Sequence, residues 1–181
     1  LSDRKRMSGA MTLGGLMDYR RRGFRDDYQV NSLQLSNGVT PAGDIVFSEI
    51  AHLAGVAYTD WSWSALFGDY DNDGYKDIFI TNGYPKAAND YDYQRAMFRE
   101  KRRGGDPRAP QRRGLELLAQ LRSYHLPNHV FRNEGDLTFS DRTREWGMDQ
   151  PSYSYGAAHA DLNNDGRLDL VVNNIDAPAF I

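Results

Sequence analysis

The chain has 181 residues, 40% of them hydrophobic, which is enough for a core, so size alone does not call for covalent staples. It has no cysteine, which excludes disulfides, thiolate zinc sites and cysteine nucleophiles. A net charge of −3 gives no pointer to nucleic acid, which is not expected as a partner, and no apolar run reaches the ~18 residues that would span a bilayer.

In chain order, residues 1–30 lead into Asn31 much as a later insertion leads into Asn128, and are expected to be the tail of a helical insertion. Residues 31–60 hold two strand-like pieces, Asn31 to Gly38 and Phe47-Ser48-Glu49. Residues 61–143 contain four, at roughly 62–69, 77–82, 129–133 and 138–142, interrupted by an insertion over 84–127. Within that insertion Leu115, Leu118 and Leu121, with Leu117 beside them, predict one apolar helical stripe. Residues 144–181 begin the pattern again. The chain starts at Leu1 without methionine and stops at Phe180-Ile181 just after a strand-like run, so it is expected to be a fragment, with any export signal outside it.

What organises these pieces is an internal repeat with a period of 92 residues. Phe47 and Phe139 each open a short strand, Gly55 and Gly147 follow, and Asp69 and Asp161 each start an aspartate-rich loop. Before the loops, Trp61-Ser62-Trp63-Ser64-Ala65 and Tyr153-Ser154-Tyr155-Gly156-Ala157 alternate aromatic with small, a strand period. After them come short β-branched runs from Asp77 to Asn82 and from Asp169 to Asn174. Four antiparallel strands per repeat is the pattern of a propeller blade, so the expected fold class is all-β: four-stranded antiparallel β-propeller blades with helical insertions.

The loops bear the chemistry. The first reads Asp69-Tyr70-Asp71-Asn72-Asp73-Gly74-Tyr75-Lys76-Asp77 and the second Asp161-Leu162-Asn163-Asn164-Asp165-Gly166-Arg167-Leu168-Asp169. Alternate positions put oxygens on one side of a curled backbone, and glycine at position 6 takes the conformation the turn needs. Two carboxylates ~4 Å apart repel by about 4 kcal/mol at an effective dielectric near 20. The first loop holds four, so an unfilled loop is expected to open or stay partly protonated. A hard cation with six to eight oxygen ligands resolves the crowding, and calcium tolerates the irregular geometry. The expected ligands are the side chains of Asp69, Asp71, Asp73 and Asp77 with the Tyr75 carbonyl, and those of Asp161, Asn163, Asp165 and Asp169 with the Arg167 carbonyl: two Ca²⁺ sites. Ile80 and Val172 stand at position 12, where an EF-hand needs a bidentate glutamate, so these are strand–loop–strand sites.

With Phe67-Gly68-Asp69 and Gly156-Ala157-Ala158 before the loops, residues 31–83 and 128–177 resemble the FG-GAP or VCBS repeats of integrin-α-like β-propellers. The resemblance implies about seven blades, an extracellular, cell-surface or periplasmic location, and a role in adhesion or ligand recognition. The long insertions look more like bacterial VCBS-repeat proteins than compact integrin blades.

The expected function is therefore a calcium-binding propeller module recognising a protein or glycan, partnered by the remaining blades of its own propeller. The alternative is a carbohydrate-active lyase or hydrolase on the same scaffold. No nucleophile–histidine–acid trio and no phosphate-binding glycine loop stands out, and no catalytic residue is assigned. The Trp61/Trp63 and Tyr153/Tyr155 pairs are expected to pack between neighbouring blades rather than to stack on sugar. His125, His129 and His159 lack metal-ligand spacing, with His159 placed on the strand before Asp161. The basic cluster Arg99, Lys101, Arg102, Arg103, Arg108, Arg112 and Arg113 is expected to be a solvated face.

Overall fold

Short runs rich in Ile, Val and Phe between turn residues form extended strands, and a computed structural model shows how they pair. It describes residues 17–18, 20–23, 30–86, 90–103, 106 and 108–181. The chain divides into two units, Val30–Gly83 with His125–Ile181, and Leu1–Gln29 with Tyr84–Tyr124.

The first unit is mostly antiparallel sheet. Strands β1 (Gln34–Val39) and β2 (Ile45–Glu49) pair with each other, and a single helical turn, α1 (Ala51–Ala54), follows. Strands β3 (Ser62–Gly68), β4 (Asp77–Asn82), β5 (His129–Asn133) and β6 (Phe139–Asp141) form one four-stranded sheet in that order. Strands β7 (Ser154–Ala160) and β8 (Asp169–Asn174) form a third sheet.

The 92-residue repeat is a repeat of register. Ser62 faces Asn82 and Gly68 faces Asp77, just as Ser154 faces Asn174 and Ala160 faces Asp169, with an irregularity at the same place in both ladders. The paired glycines have a common cause as well. Gly55 and Gly147 lie at φ 81° and 73°, and each ends a turn closed by the next residue, Val56 N–H donating to Ala51 O and Met148 N–H to Thr143 O. The α1 turn itself is not foreshadowed by the sequence pattern, because it is too short to show a period.

Strand β4 is buried along its whole length because its sheet is covered on both faces. Ile78 and Ile80, with Phe131 opposite Ile78, pack against Ala51, Ala54, Val56 and Ala57. On the other pleat Phe79 and Val130, a directly opposed pair, pack against Val172 with Leu66, Trp146, Met148 and Leu170 around them. Trp63 stacks on Tyr155 at 4.4 Å between ring centroids, as the alternating aromatics led one to expect, and Tyr153 stacks on His125 at 3.9 Å. Thr81 reaches the same neighbour, its hydroxyl donating to Tyr155 O at 2.6 Å.

The second unit contains helices α2 (Tyr91–Arg103) and α3 (Ala109–Gln120). The leucine stripe expected there needs correction. Leu115 is 63% exposed and Leu121 lies past the helix end in extended conformation, while Gly114, Leu117 and Leu118 turn inward. The reason is proximity: a Cβ on Gly114 would stand 3.0 Å from Met97 Cε, so the helices meet at the glycine rather than at Leu115. The basic residues at 99, 101–103, 108 and 112–113 are exposed, with Arg113 paired to Glu116 at 2.9 Å and Arg103 to Glu100 at 3.3 Å. The expected insertion tail at 1–30 lies largely outside the described residues; residues 17–18 and 20–21 are helical and Gly23, at φ 81°, follows them.

Two outcomes follow from this packing. Phe79 has 0% exposure at the centre of one face, so Phe79→Ala should cost about 3–5 kcal/mol in denaturant unfolding. At the edge, the Glu49 carboxylate accepts the N–H groups of Ala51 at 2.8 Å and Leu33 at 3.2 Å, and these bonds hold it below its usual pKa of 4.5. Because the folded value is the lower one, its contribution is present above the unfolded value and fades as pH falls through the folded one. Glu49→Gln should therefore flatten the dependence of unfolding free energy on pH below 4.5.

Candidate metal site

Each aspartate loop joins the first two strands of a sheet, β3 to β4 and β7 to β8, and the two are wound on the same hydrogen-bond scaffold. The carboxylate at position 1 accepts two N–H groups: Asp69 takes Asp73 N and Gly74 N at 3.0 Å each, and Asp161 takes Asp165 N at 3.0 Å and Gly166 N at 2.9 Å. Position 3 accepts from position 5, with Asp71 at 3.2 Å and Asn163 at 3.0 Å, and position 5 accepts from position 7 at 2.8 and 2.9 Å. Position 9 reaches back to position 2, Asp77 accepting from Tyr70 N at 3.0 Å and Asp169 from Leu162 N at 2.9 Å. Glycine at position 6 is left-handed in both, Gly74 at φ 93° and Gly166 at 84°. Asn72 and Asn164 at position 4 are also left-handed, at φ 59°, which explains asparagine there, since it tolerates that region better than most side chains.

Of the residues expected to bind metal, the structure brings Asp69, Asp71 and Asp77 together, with one oxygen of each lying within 4.8 Å of the others. This acidic triad is a set of hard oxygens able to hold a metal ion. Asp73, whose Oδ2 is taken by Arg132, is not part of that group, and the second loop, with an amide at Asn163, forms no three-carboxylate group of that tightness among the described residues. Tyr75 and Arg167 both occupy position 7; Tyr75 lies beside the Gly135 turn, where a Cβ would stand 3.1 Å from its ring.

The first loop's carboxylates are also met by a cation of the chain itself, Arg132. Its Nε donates to Asp71 Oδ2 at 2.6 Å and its Nη2 to Asp73 Oδ2 at 2.5 Å, while Nη1 holds Glu134 at 3.0 Å. These carboxylates raise the pKa of Arg132 further, so it is a permanent cation. The next residue, Asn133, donates its N–H to Asp77 Oδ1 at 2.9 Å and its side-chain amide to Lys76 O at 3.0 Å. The site is therefore made by two hairpins, and the second was missed in the sequence. The available signal was register: with Ile78 opposite Phe131, an antiparallel ladder sets Arg132 and Asn133 beside Asp77 and Lys76.

Asp77 is 0% exposed, and burial pushes its pKa up, with Asp71 and Asp73 adding to the effect and the Asn133 and Tyr70 N–H bonds opposing it. Tyr70 is pushed up to about 12 by burial and the nearby Asp77 charge, so it stays a phenol and hydrogen-bonds His159 Nδ1 at 3.1 Å. His159 lies on β7, as expected, two residues before the second loop.

An antiparallel four-stranded sheet with an oxygen-rich loop between its first two strands defines a repeat-built β protein. Residues 115–172 match the FG-GAP-like repeat, a stretch reaching from α3 through the second loop into β8. The chain is also similar to cartilage acidic protein 1 from Homo sapiens, 43% identical over 53 residues, and from Mus musculus and Xenopus tropicalis, each 42% identical over 53 residues. Those stretches are 29% of this chain and only 8% of each relative's length. No described helix is long and apolar enough to cross a membrane.

Asp77 has a part in the fold that does not depend on metal. In Asp77→Asn one of the two N–H groups it accepts loses its partner, so chelator-treated protein should unfold at a free energy about 1–3 kcal/mol lower. Denaturant melts of both proteins in chelator measure this.

Proposed function

We propose that this chain is a section of a calcium-stabilised β-propeller acting as a recognition or adhesion module, which meets a protein or glycan at the cell surface, in the extracellular space or in the periplasm. In this reading residues 31–60 are the last strands of one blade, 61–143 a whole blade with its insertion at 84–127, and 144–181 the start of the next. The remaining blades are its first partners, covering the strand edges and apolar faces that β1–β2 and β7–β8 leave.

The observation that supports it is the duplicated loop scaffold: five N–H bonds at matching positions, left-handed backbone at positions 4 and 6, and identical strand register on both sides. Hairpin turns made of Asn and Gly need no such array of oxygens. Asp69, Asp71, Asp73 and Asp77 with the Tyr75 carbonyl would hold one Ca²⁺, and Asp161, Asn163, Asp165 and Asp169 with the Arg167 carbonyl the other. The metal would supply neutralisation and rigidity, not chemistry. With affinities of about 10⁻⁴ M and millimolar free calcium, each site adds roughly 1–2 kcal/mol. At submicromolar cytosolic calcium both would be empty, which favours an exported protein.

Removal of the metal tests this. Chelator should lower the melting temperature of the calcium-saturated protein by several degrees, on the order of 5–10 °C, and excess magnesium should restore little of it. Anomalous scattering from calcium-grown crystals should show a peak in each loop. A melt indifferent to chelator, with no peak at either loop, would sink the reading.

A further inference from the structure

The two loops differ by one charge, and the difference is matched by one side chain. The first has a carboxylate at position 3, Asp71, where the second has the amide of Asn163. Arg132 supplies a positive charge to the first, while among the described residues no basic side chain pairs with Asp161, Asp165 or Asp169. In both loops one oxygen at positions 3 and 5 accepts the turn N–H groups. In the first loop the other oxygen of each, Oδ2 of Asp71 and of Asp73, is the one the guanidinium takes. In the second, Asp165 Oδ2 faces only the neutral Asn163 amide, at 3.2 Å.

We infer that Arg132 is a tethered counter-cation of the first loop, competing with calcium for Asp71 and Asp73 and making that loop the weaker, more readily emptied of the two sites. The inference rests on the calcium reading above. A guanidinium fixed between two carboxylates neutralises them without a metal, so the loop keeps its shape when empty. Calcium arriving there must either share Oδ2 of Asp71 and Asp73 with a like charge or dislodge it, and charges a few ångströms apart at a half-buried site repel by kcal/mol amounts. The side chain also reaches outward. Arg132 Nη1 holds Glu134, whose other oxygen accepts the Ser140 hydroxyl and lies 3.7 Å from Arg142, itself paired with Glu145 at 2.7 Å. Displacing Arg132 therefore changes a row of alternating charges along β5 and β6, a change the second loop does not make among the described residues.

The test is a calcium titration by calorimetry in two backgrounds. Asp161→Ala leaves only the first loop able to bind, and Asp69→Ala only the second. Arg132→Gln should tighten calcium about tenfold in the first background and leave the second unchanged, with Arg132→Lys, which keeps the charge and loses the fork, in between. Melts give a reading of opposite sign: Arg132→Gln should lower the melting temperature in chelator, and the deficit should shrink or vanish in saturating calcium. Unchanged or weaker calcium binding at the first loop in Arg132→Gln overturns the inference and makes Arg132 a support that orients the carboxylates. If the second loop also binds no calcium, the calcium reading itself fails; if the second binds and the first does not respond, only this inference does.

Discussion

A carboxylate with no exposure to water must have its charge answered by the protein, and Asp77 is answered by two backbone N–H groups from opposite directions. Tyr70 N–H closes the loop on itself, bringing its second residue against its ninth. Asn133 N–H belongs to another hairpin, more than fifty residues on, so the same side chain fixes the end of β5 beside the start of β4. Release Asp77 and both the curl of the loop and its seat against the β5–β6 turn lose their common anchor.

From that anchor the sheet extends inward as a buried ladder. Ile78, Phe79 and Ile80 follow Asp77 directly, and their alternation sends two side chains to the α1 turn and the residues after it, and one to the neighbouring β7–β8 sheet. A strand covered on both faces has no polar side to display, so its apolar run and the aspartate that begins it are one design: a charged terminus at the rim and a dry interior behind it. The oxygen-rich loop thereby leads into a strand buried along its whole length, where its geometry is set by packing and not by the ion alone.

Much of this was legible in the sequence. Strand positions, the duplicated loops and the glycines at 55 and 147 followed from a repeat that survives even where residues differ, because β-turn conformation and strand period restrict composition strongly. The placement of Arg132 did not follow, since a lone arginine on a short strand has no local pattern; its meaning comes from a ladder partner distant in the chain. The leucine stripe misled for a related reason. Periodicity at 115, 118 and 121 counted apolar residues but not the backbone approach at Gly114, where the absence of a side chain brings α2 near and turns a different face inward. Helix α2 escaped notice because its inward residues include Tyr93, Ala96 and Met97 among many charges, a weak signal beside its basic surface.

The seam between the two loops has its own consequence. Gly68, the last residue of β3, lies beneath Leu168 of the second loop and the Tyr70 ring, so closely that a Cβ would come to 2.8 Å from Tyr70 Cζ and 3.0 Å from Leu168 Cδ1. Adjacent repeats thus share a single volume, and a bulkier residue at 68 would have to displace the Tyr70 ring and the Leu168 side chain. A change in one copy's strand is therefore felt by the other copy's loop, through a space the size of one methyl group.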